Sequence, residues 1–400
     1  MPSGNRVLLV VQIRPLFFSM LQFSNGSRAL LAAALLCFLC GCQLASSQAE
    51  SDSGLDALDL LPGMPSYLDP FDLYAAGRPG LLSETVRDHL ERIYVPLGGA
   101  NRVAVIDPRN YKVIDSFPTD KEPQHVTPSW DLKTLYAGSD LGNTLTVIDP
   151  ATGKKTGTIP VDDPYNLYFT PDGKFAIVVA ERLRRLDFRE PQTMKLIESV
   201  PVNCRGVDHM DFSADGRYVI ASCEFSGEII KVDIVNRKIL AKLAVPGDGM
   251  PQDVKVSPDG RTFYVADMEA DGIHLVNGDT FKITGLIKTG KGCHGLYTSR
   301  DSKYLYVTNR NEGSVSVLEF ATQALIAKWW IPGGGSPDMG GVSADGKVLW
   351  LAGRYHREVY AIDTADGKLL ARIKVGRGPH GLCVWPQPGR YSIGHTGILR

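Results

Sequence analysis

The sequence predicts an all-β fold: a seven-bladed β-propeller of four-stranded blades, closed by a C-terminal inner strand that joins blade one. Three observations predict it. First, one phrase recurs: "QHVTPSWDLK" from 124, "YNLYFTPDGK" from 165, "DHMDFSADGR" from 208, "QDVKVSPDGR" from 252, "HGLYTSRDSK" from 294, "DMGGVSADGK" from 338 and "HGLCVWPQPG" from 380. The starts lie 41, 43, 44, 42, 44 and 42 residues apart. A four-strand unit of roughly 40–45 residues is the propeller period, because one small sheet cannot bury both its faces and a ring of them can. Second, residues 91–123 hold the second, third and fourth strands of a repeat ("RIYVPL", "NRVAVIDP", "KVIDSFPT") without the first. Third, "HGLCVW" is a first strand with no partners after it, and "PQPGR" stands where other repeats carry their turn. Each fragment supplies what the other lacks, and joining them removes the exposed edges of an open array.

The elements follow in order. Residues 1–42 read as a targeting leader and stand outside the fold. Arg28 precedes the apolar run "ALLAAALLCFLC", too short for a stable bilayer span. Leu39-Cys40-Gly41-Cys42 resembles a bacterial lipobox, which implies lipidation at Cys42; ordinary secretory cleavage is the alternative. Gln43 then follows the lipidated residue, which in the Gram-negative sorting rule favours the outer membrane, and a start at Met20 would leave a leader of conventional length. The expected location is the periplasm or outer cell envelope, with the membrane reached through the lipid alone. Residues 43–90 form a tether and an irregular segment lying on the domain, with "SETVRDHL" (83–90) as a short helix capped by Ser83. The propeller spans 91–390, and 391–400 is a tail.

Within each repeat a short strand leads into a tight turn, and Asp-Gly at 172–173, 215–216, 259–260 and 345–346 suits a hairpin because glycine accepts positive φ. Apolar strands such as "RTFYVAD" follow, then "TLTVIDP", then "KLLARIKVG". These stretches, above all "SPDGRTFYVAD" and "TLYAGSDLGNTLTVIDPATGKKTGTIPV", resemble the YVTN-type β-propeller repeats of exported bacterial and archaeal proteins. The resemblance implies the fold and no catalytic residue, since binding proteins and lactone-active enzymes both use it.

Function is read from where repeats begin. The first residues of each repeat should ring the channel mouth: Gln124-His125, Tyr165-Asn166, Asp208-His209, Gln252-Asp253, His294-Gly295, Asp338-Met339 and His380-Gly381. Four of the chain's eight histidines fall there. Loops between second and third strands add Asp140, Glu181, Arg182, Glu224, Asp267, Glu269, Arg310, Arg354 and His356 to the same polar funnel. His125, Asn166, Asp208, His209, Asp253, His294, Arg310, Asp338, Arg354 and His380 are the candidate binding residues.

One reading is structural: polar groups at strand starts satisfy backbone and ordered water, with or without a passive ligand. The other is chemical. His125, His209, His294 and His380 with Asp253 offer N and O ligands to a single transition metal. Some seven-bladed enzymes hold copper in a histidine ring at this place; the layout is similar, although four histidines over four blades are fewer than those clusters use. A metal-free site with histidine as base and arginine as oxyanion partner would suit a lactone. The sequence thus describes a ligand-binding or protein-interaction scaffold, with a metal-dependent oxidoreductase or lactone hydrolase as the alternative, and a small ligand or a protein partner at the mouth.

Cys204 and Cys223 flank adjacent antiparallel strands at the same face, where a disulfide is geometrically open; Cys293 and Cys383 read as free and buried. Lys+Arg (43) balance Asp+Glu (44), which argues against nucleic acid, and Arg182-Leu183-Arg184-Arg185 is the one dense basic run. Phosphate-loop, nucleophile-elbow and haem-attachment motifs are missing.

Overall fold

The computed structural model describes residues 54–395 and 398–400. The leader, the Cys42 lipidation position and the first part of the tether lie outside the described residues. Seven sheets stand around one axis, and six of them have four strands. Closure occurs where the sequence places it: Arg92, Ile93 and Tyr94 pair antiparallel with Trp385, Val384 and Cys383. The His380 N–H donates to the Pro96 carbonyl at 3.3 Å, which carries the pairing up to the mouth. The C-terminal inner strand also touches blade two, through the Val126 N–H to the Gly381 carbonyl (2.9 Å) and the Gly381 N–H to the Gln124 carbonyl (2.9 Å).

Burial explains the blades. Inner and second strands are almost wholly buried, as in Pro123–Pro128 and Leu135–Ser139, whereas outermost strands such as Lys238–Ala244 alternate between exposed and half-buried. Branched and aromatic residues from neighbouring blades interlock, for example Phe188, Val207, Met210 and Phe212 between blades three and four. Each contact removes apolar surface from water that an isolated sheet would expose.

The Asp-Gly turns are longer than two-residue hairpins. Between Phe212 and Tyr218 the Ser213 hydroxyl binds Asp215 (2.5 Å) and accepts the Tyr218 N–H (3.1 Å), while Gly216 takes a φ of 74°. The serine spans the loop from one strand to the next, so only the glycine needs positive φ.

Two further differences bear on function. Residues 83–90 form no helix: 84–88 are consecutive turns, with Val86 as the one fully buried anchor. So short a segment cannot repay helix nucleation. The last residues are more than a tail. Ser392–Gly394 pairs with the inner strand of blade three, Asn166–Phe169, and with Ile398–Leu399, making that sheet six-stranded. Tyr391, Ile393, His395, Leu399 and Arg400 are all buried.

The face opposite the mouth is covered by residues 54–82. The Leu61 N–H binds the Asp215 carbonyl (2.8 Å), the Leu73 N–H binds the Pro258 carbonyl (2.9 Å), and the Tyr74 hydroxyl binds the Val256 carbonyl (2.7 Å). No helix among the described residues is long and apolar enough to cross a membrane.

Candidate metal centre in the channel

Inner-strand starts from four blades and the C-terminal segment bring five histidines together. Ring centroids are 4.7 Å apart for His125–His380, 5.2 Å for His125–His209, 4.6 Å for His209–His395 and 6.1 Å for His294–His380. All five are buried. They divide into two groups whose ligand atoms lie within 4.8 Å of one another: His125, His209 and His395; and His294, Asp338 and His380.

The first group has the stronger metal geometry. The His125 Nδ1 sits 2.9 Å from the Tyr165 carbonyl, which can only accept, so this nitrogen carries the proton. The His209 Nδ1 faces the Asp208 carboxylate at 2.6 Å, a charge contact without an aligned hydrogen bond that favours a proton on that nitrogen. The free nitrogens, the two Nε2 atoms, then point at each other across 3.3 Å. Two lone pairs at that distance repel unless something positive lies between them. A proton can do it, and so can a metal ion: two imidazole nitrogens on one tetrahedral ion at about 2.0–2.1 Å stand roughly 3.3–3.4 Å apart. Each ring's second nitrogen has an oxygen close by, the Tyr165 carbonyl for His125 and the Asp208 carboxylate for His209, and such oxygens orient metal-binding histidines.

Charge follows the same division. Burial works against charge on His209, but Asp208 and then Asp253 outweigh it and hold its pKa above the ordinary value. Burial, reinforced by neighbouring positive groups, holds His125, His294 and His380 well below theirs. His395 falls to about 4, chiefly through burial, despite its contact with Asp253 at 3.1 Å. Asp253 is also buried, yet His395, Lys255 and His209 draw it far below the usual carboxylate range.

The second group is matched internally. Asp338 meets His294 Nδ1 at 3.1 Å, Arg310 at 3.0 Å, His380 at 3.6 Å and Arg354 at 3.9 Å. Its carboxylate already answers two guanidinium groups, which leaves less negative charge for a cation than Asp208 offers. His380 Nδ1 contacts Gln124 Oε1 at 3.1 Å.

The sequence-derived metal set (His125, His209, His294, His380, Asp253) is therefore distributed: the first two meet each other directly, the next two gather on Asp338, and Asp253 braces His395. Asn166 supports the same histidine, with Nδ2 3.4 Å from His395 Nδ1. His395 is the member of the histidine cluster that the repeats did not reveal. It lies outside the repeats, and its one local signal is the glycine on either side in "GHTG".

Several expected funnel residues do other work. Asp267 accepts N–H groups of Met250, Glu269 and Ala270 and pairs with His274, so it ties its own loop. His356 is held by Ser336 at 2.9 Å. Arg182 binds Asp163 at 2.8 Å and the Asp140 carbonyl at 2.7 Å. Glu181 and Glu224 do gather near Asp208; burial first, then that neighbour, pushes them up to about 8 and about 7. Cys204 and Cys223 form a disulfide, and Cys293 and Cys383 are free and buried.

Fold and channel together define a seven-bladed propeller with a histidine-lined axis. The chain belongs to the YNCE-like β-propeller family, whose family model matches residues 91–388. It is 21% identical over 274 residues to the uncharacterized protein YncE of Salmonella typhi, covering 62% of this chain and 73% of that one. Among solved structures it is similar to a Kuenenia stuttgartiensis hydrazine synthase chain (TM-score 0.56, 20% identity, 65% of this chain and 88% of that chain). It is also similar to a functionally unknown protein of Desulfotomaculum acetoxidans (TM-score 0.63, 15% identity, 74% and 98%). Likeness at this identity extends to the fold.

Proposed function

We propose that this protein is an exported, lipid-anchored propeller that binds a transition metal in its channel. It serves as a rigid metal-binding module of the cell envelope. The observation that carries the reading is the pair of Nε2 atoms of His125 and His209, 3.3 Å apart with both Nδ1 atoms already engaged. His395 supplies the third nitrogen. A three-histidine set suits zinc or copper better than magnesium or calcium, which prefer oxygen.

Export is supported by the leader-like sequence ending at Cys42 and by the Cys204–Cys223 disulfide, which persists in oxidising compartments. Burial of His125 and His209, at 1% and 0% exposure, supports holding an ion over turning over a substrate.

Elemental analysis of the full chain purified from an exporting host tests this. The expected result is one zinc or copper per chain, lost in both His125→Ala and His209→Ala while the fold is kept. Protein free of metal after incubation with zinc and copper salts, or full loading of both variants, overturns the proposal.

A further inference from the structure

A second polar site lies lower in the molecule, toward the face covered by the N-terminal segment. The fourth residue of the repeat phrase is Thr127 in blade two, Tyr168 in blade three, Asp211 in blade four, Lys255 in blade five and Tyr297 in blade six. Blade seven has Gly341 instead. A cavity of about 50 Å³ opens there, bounded by Lys255, Tyr297, Arg300, Gly341 and Gln387. Nothing crowds Gly341: a Cβ added to it would meet Val384 at 3.4 Å and the Gln387 amide at 3.6 Å.

Lys255 is the unusual member. It is 2% exposed, yet its ammonium makes no hydrogen bond or ion pair among the described residues. The nearest carboxylate on its strand, Asp253, is occupied by the N–H groups of Val254 and Leu296 and by His395. Asp211, the counterpart in blade four, is matched by Arg400 at 2.8 Å. An ammonium carries three donors and no acceptor, and burying it without partners is costly. The cavity must therefore supply acceptors.

The wall adds a second positive charge. Arg300 is fixed by the Val342 carbonyl (2.6 Å), the Ser343 carbonyl (3.1 Å) and Gln387 Oε1 (3.0 Å). Two cationic side chains, Lys255 and Arg300, thus line the same space.

We propose that this cavity is a binding site for a small oxyanion, a carboxylate or nitrate-sized ion, with Lys255 as its principal donor. At about 10–15 Å³ per water the space holds a few waters, which matches the bulk of such an ion. The site uses none of the channel histidines as a donor.

Calorimetric titration of the full chain with acetate and with nitrate tests it, with ionic strength held by gluconate, which is too large for the cavity. One saturable site is expected. Affinity should fall by at least about ten-fold in Lys255→Met and in Gly341→Val, which fills the space but keeps the lysine. Gly341→Ala, whose Cβ makes only ordinary van der Waals contacts, should weaken binding by a smaller factor and guards against misfolding of the larger variant. Binding should survive His125→Ala, which separates this site from the metal. Unchanged affinity in Lys255→Met, or a crystal structure grown in nitrate with water alone beside Lys255, overturns the proposal.

Discussion

At the scale of single residues, the channel is organised by what holds each imidazole from behind. His125 lies so close to Gly381 that a Cβ there would sit 2.0 Å from its Cδ2, so glycine at the closing strand is a condition for the ring's position. Asp208 is buried, neither of its oxygens accepts an aligned hydrogen bond, and among the described residues its ion-pair partner is His209. That is a poor arrangement for stability alone, because a buried carboxylate without donors pays its desolvation unrelieved. It makes sense if Asp208 balances positive charge on the far side of His209. Asp208→Asn keeps the shape and removes the charge. The expected outcome is metal affinity lower by roughly 10–100-fold with the fold intact, the size usual for loss of a carboxylate behind a ligating histidine. Competition with a chelator of known affinity measures it, and unchanged affinity would mean that Asp208 does not tune the ligand.

At the scale of elements, the C-terminal segment decides how much of the site exists. Ser392–Gly394 lends a strand to blade three, His395 joins His125 and His209, and Arg400 closes the segment on Asp211 at 2.8 Å and on the Phe212 carbonyl at 3.2 Å. Removing one partner of a fully buried ion pair leaves an uncompensated charge, at a cost of about 3–5 kcal/mol. Asp211→Ala should therefore loosen this segment. Hydrogen exchange is expected to rise in 391–400 and in the inner strand Asn166–Phe169, with the other blades unchanged, and metal affinity should fall with the displaced His395. Uniform exchange across all blades would contradict it. The blades and their closure were legible because turn residues and apolar strands recur at a fixed period, so each repeat corroborated the next. The segment from 391 was not, because its strands are two or three residues long and its partner Tyr168 lies far away in sequence. The funnel was half legible for a related reason. Repeat register placed Asp208 and Asp267 alike at the mouth, but only the fold shows that Asp208 faces the channel histidine His209 while Asp267 ties its own loop and pairs with His274 away from the cluster.

At the scale of the whole molecule, a net charge of −1 hides a polarised mouth. Asp140, Glu181, Asp208 and Glu224 gather on blades two to four, whereas Arg310 and Arg354 stand on blades six and seven. The acidic side carries a cost that pH exposes. Glu181, at about 8, and Glu224, at about 7, have folded values above their ordinary 4.5, through burial first and mutual repulsion with Asp208 second. Between the unfolded and folded values the native state binds more protons than the unfolded chain, so stability falls as pH rises through that window. His125, His294, His380 and His395 are held neutral, and they act the other way, but only below their ordinary 6.5, where the unfolded chain takes up protons first. Above 6.5 the carboxylates are left to set the slope, and the raised value of His209 adds to it in the same direction. In chelated protein the melting temperature should therefore decline from pH 6.5 to 8, and Glu181→Gln should flatten that decline. Melts at three pH values and constant ionic strength decide it: a slope unchanged by Glu181→Gln would mean that this carboxylate is already ionised in the native disc. A cation entering the channel from this side would meet carboxylates first and histidines second, so the repulsion that weakens the empty mouth is also what would draw the metal in.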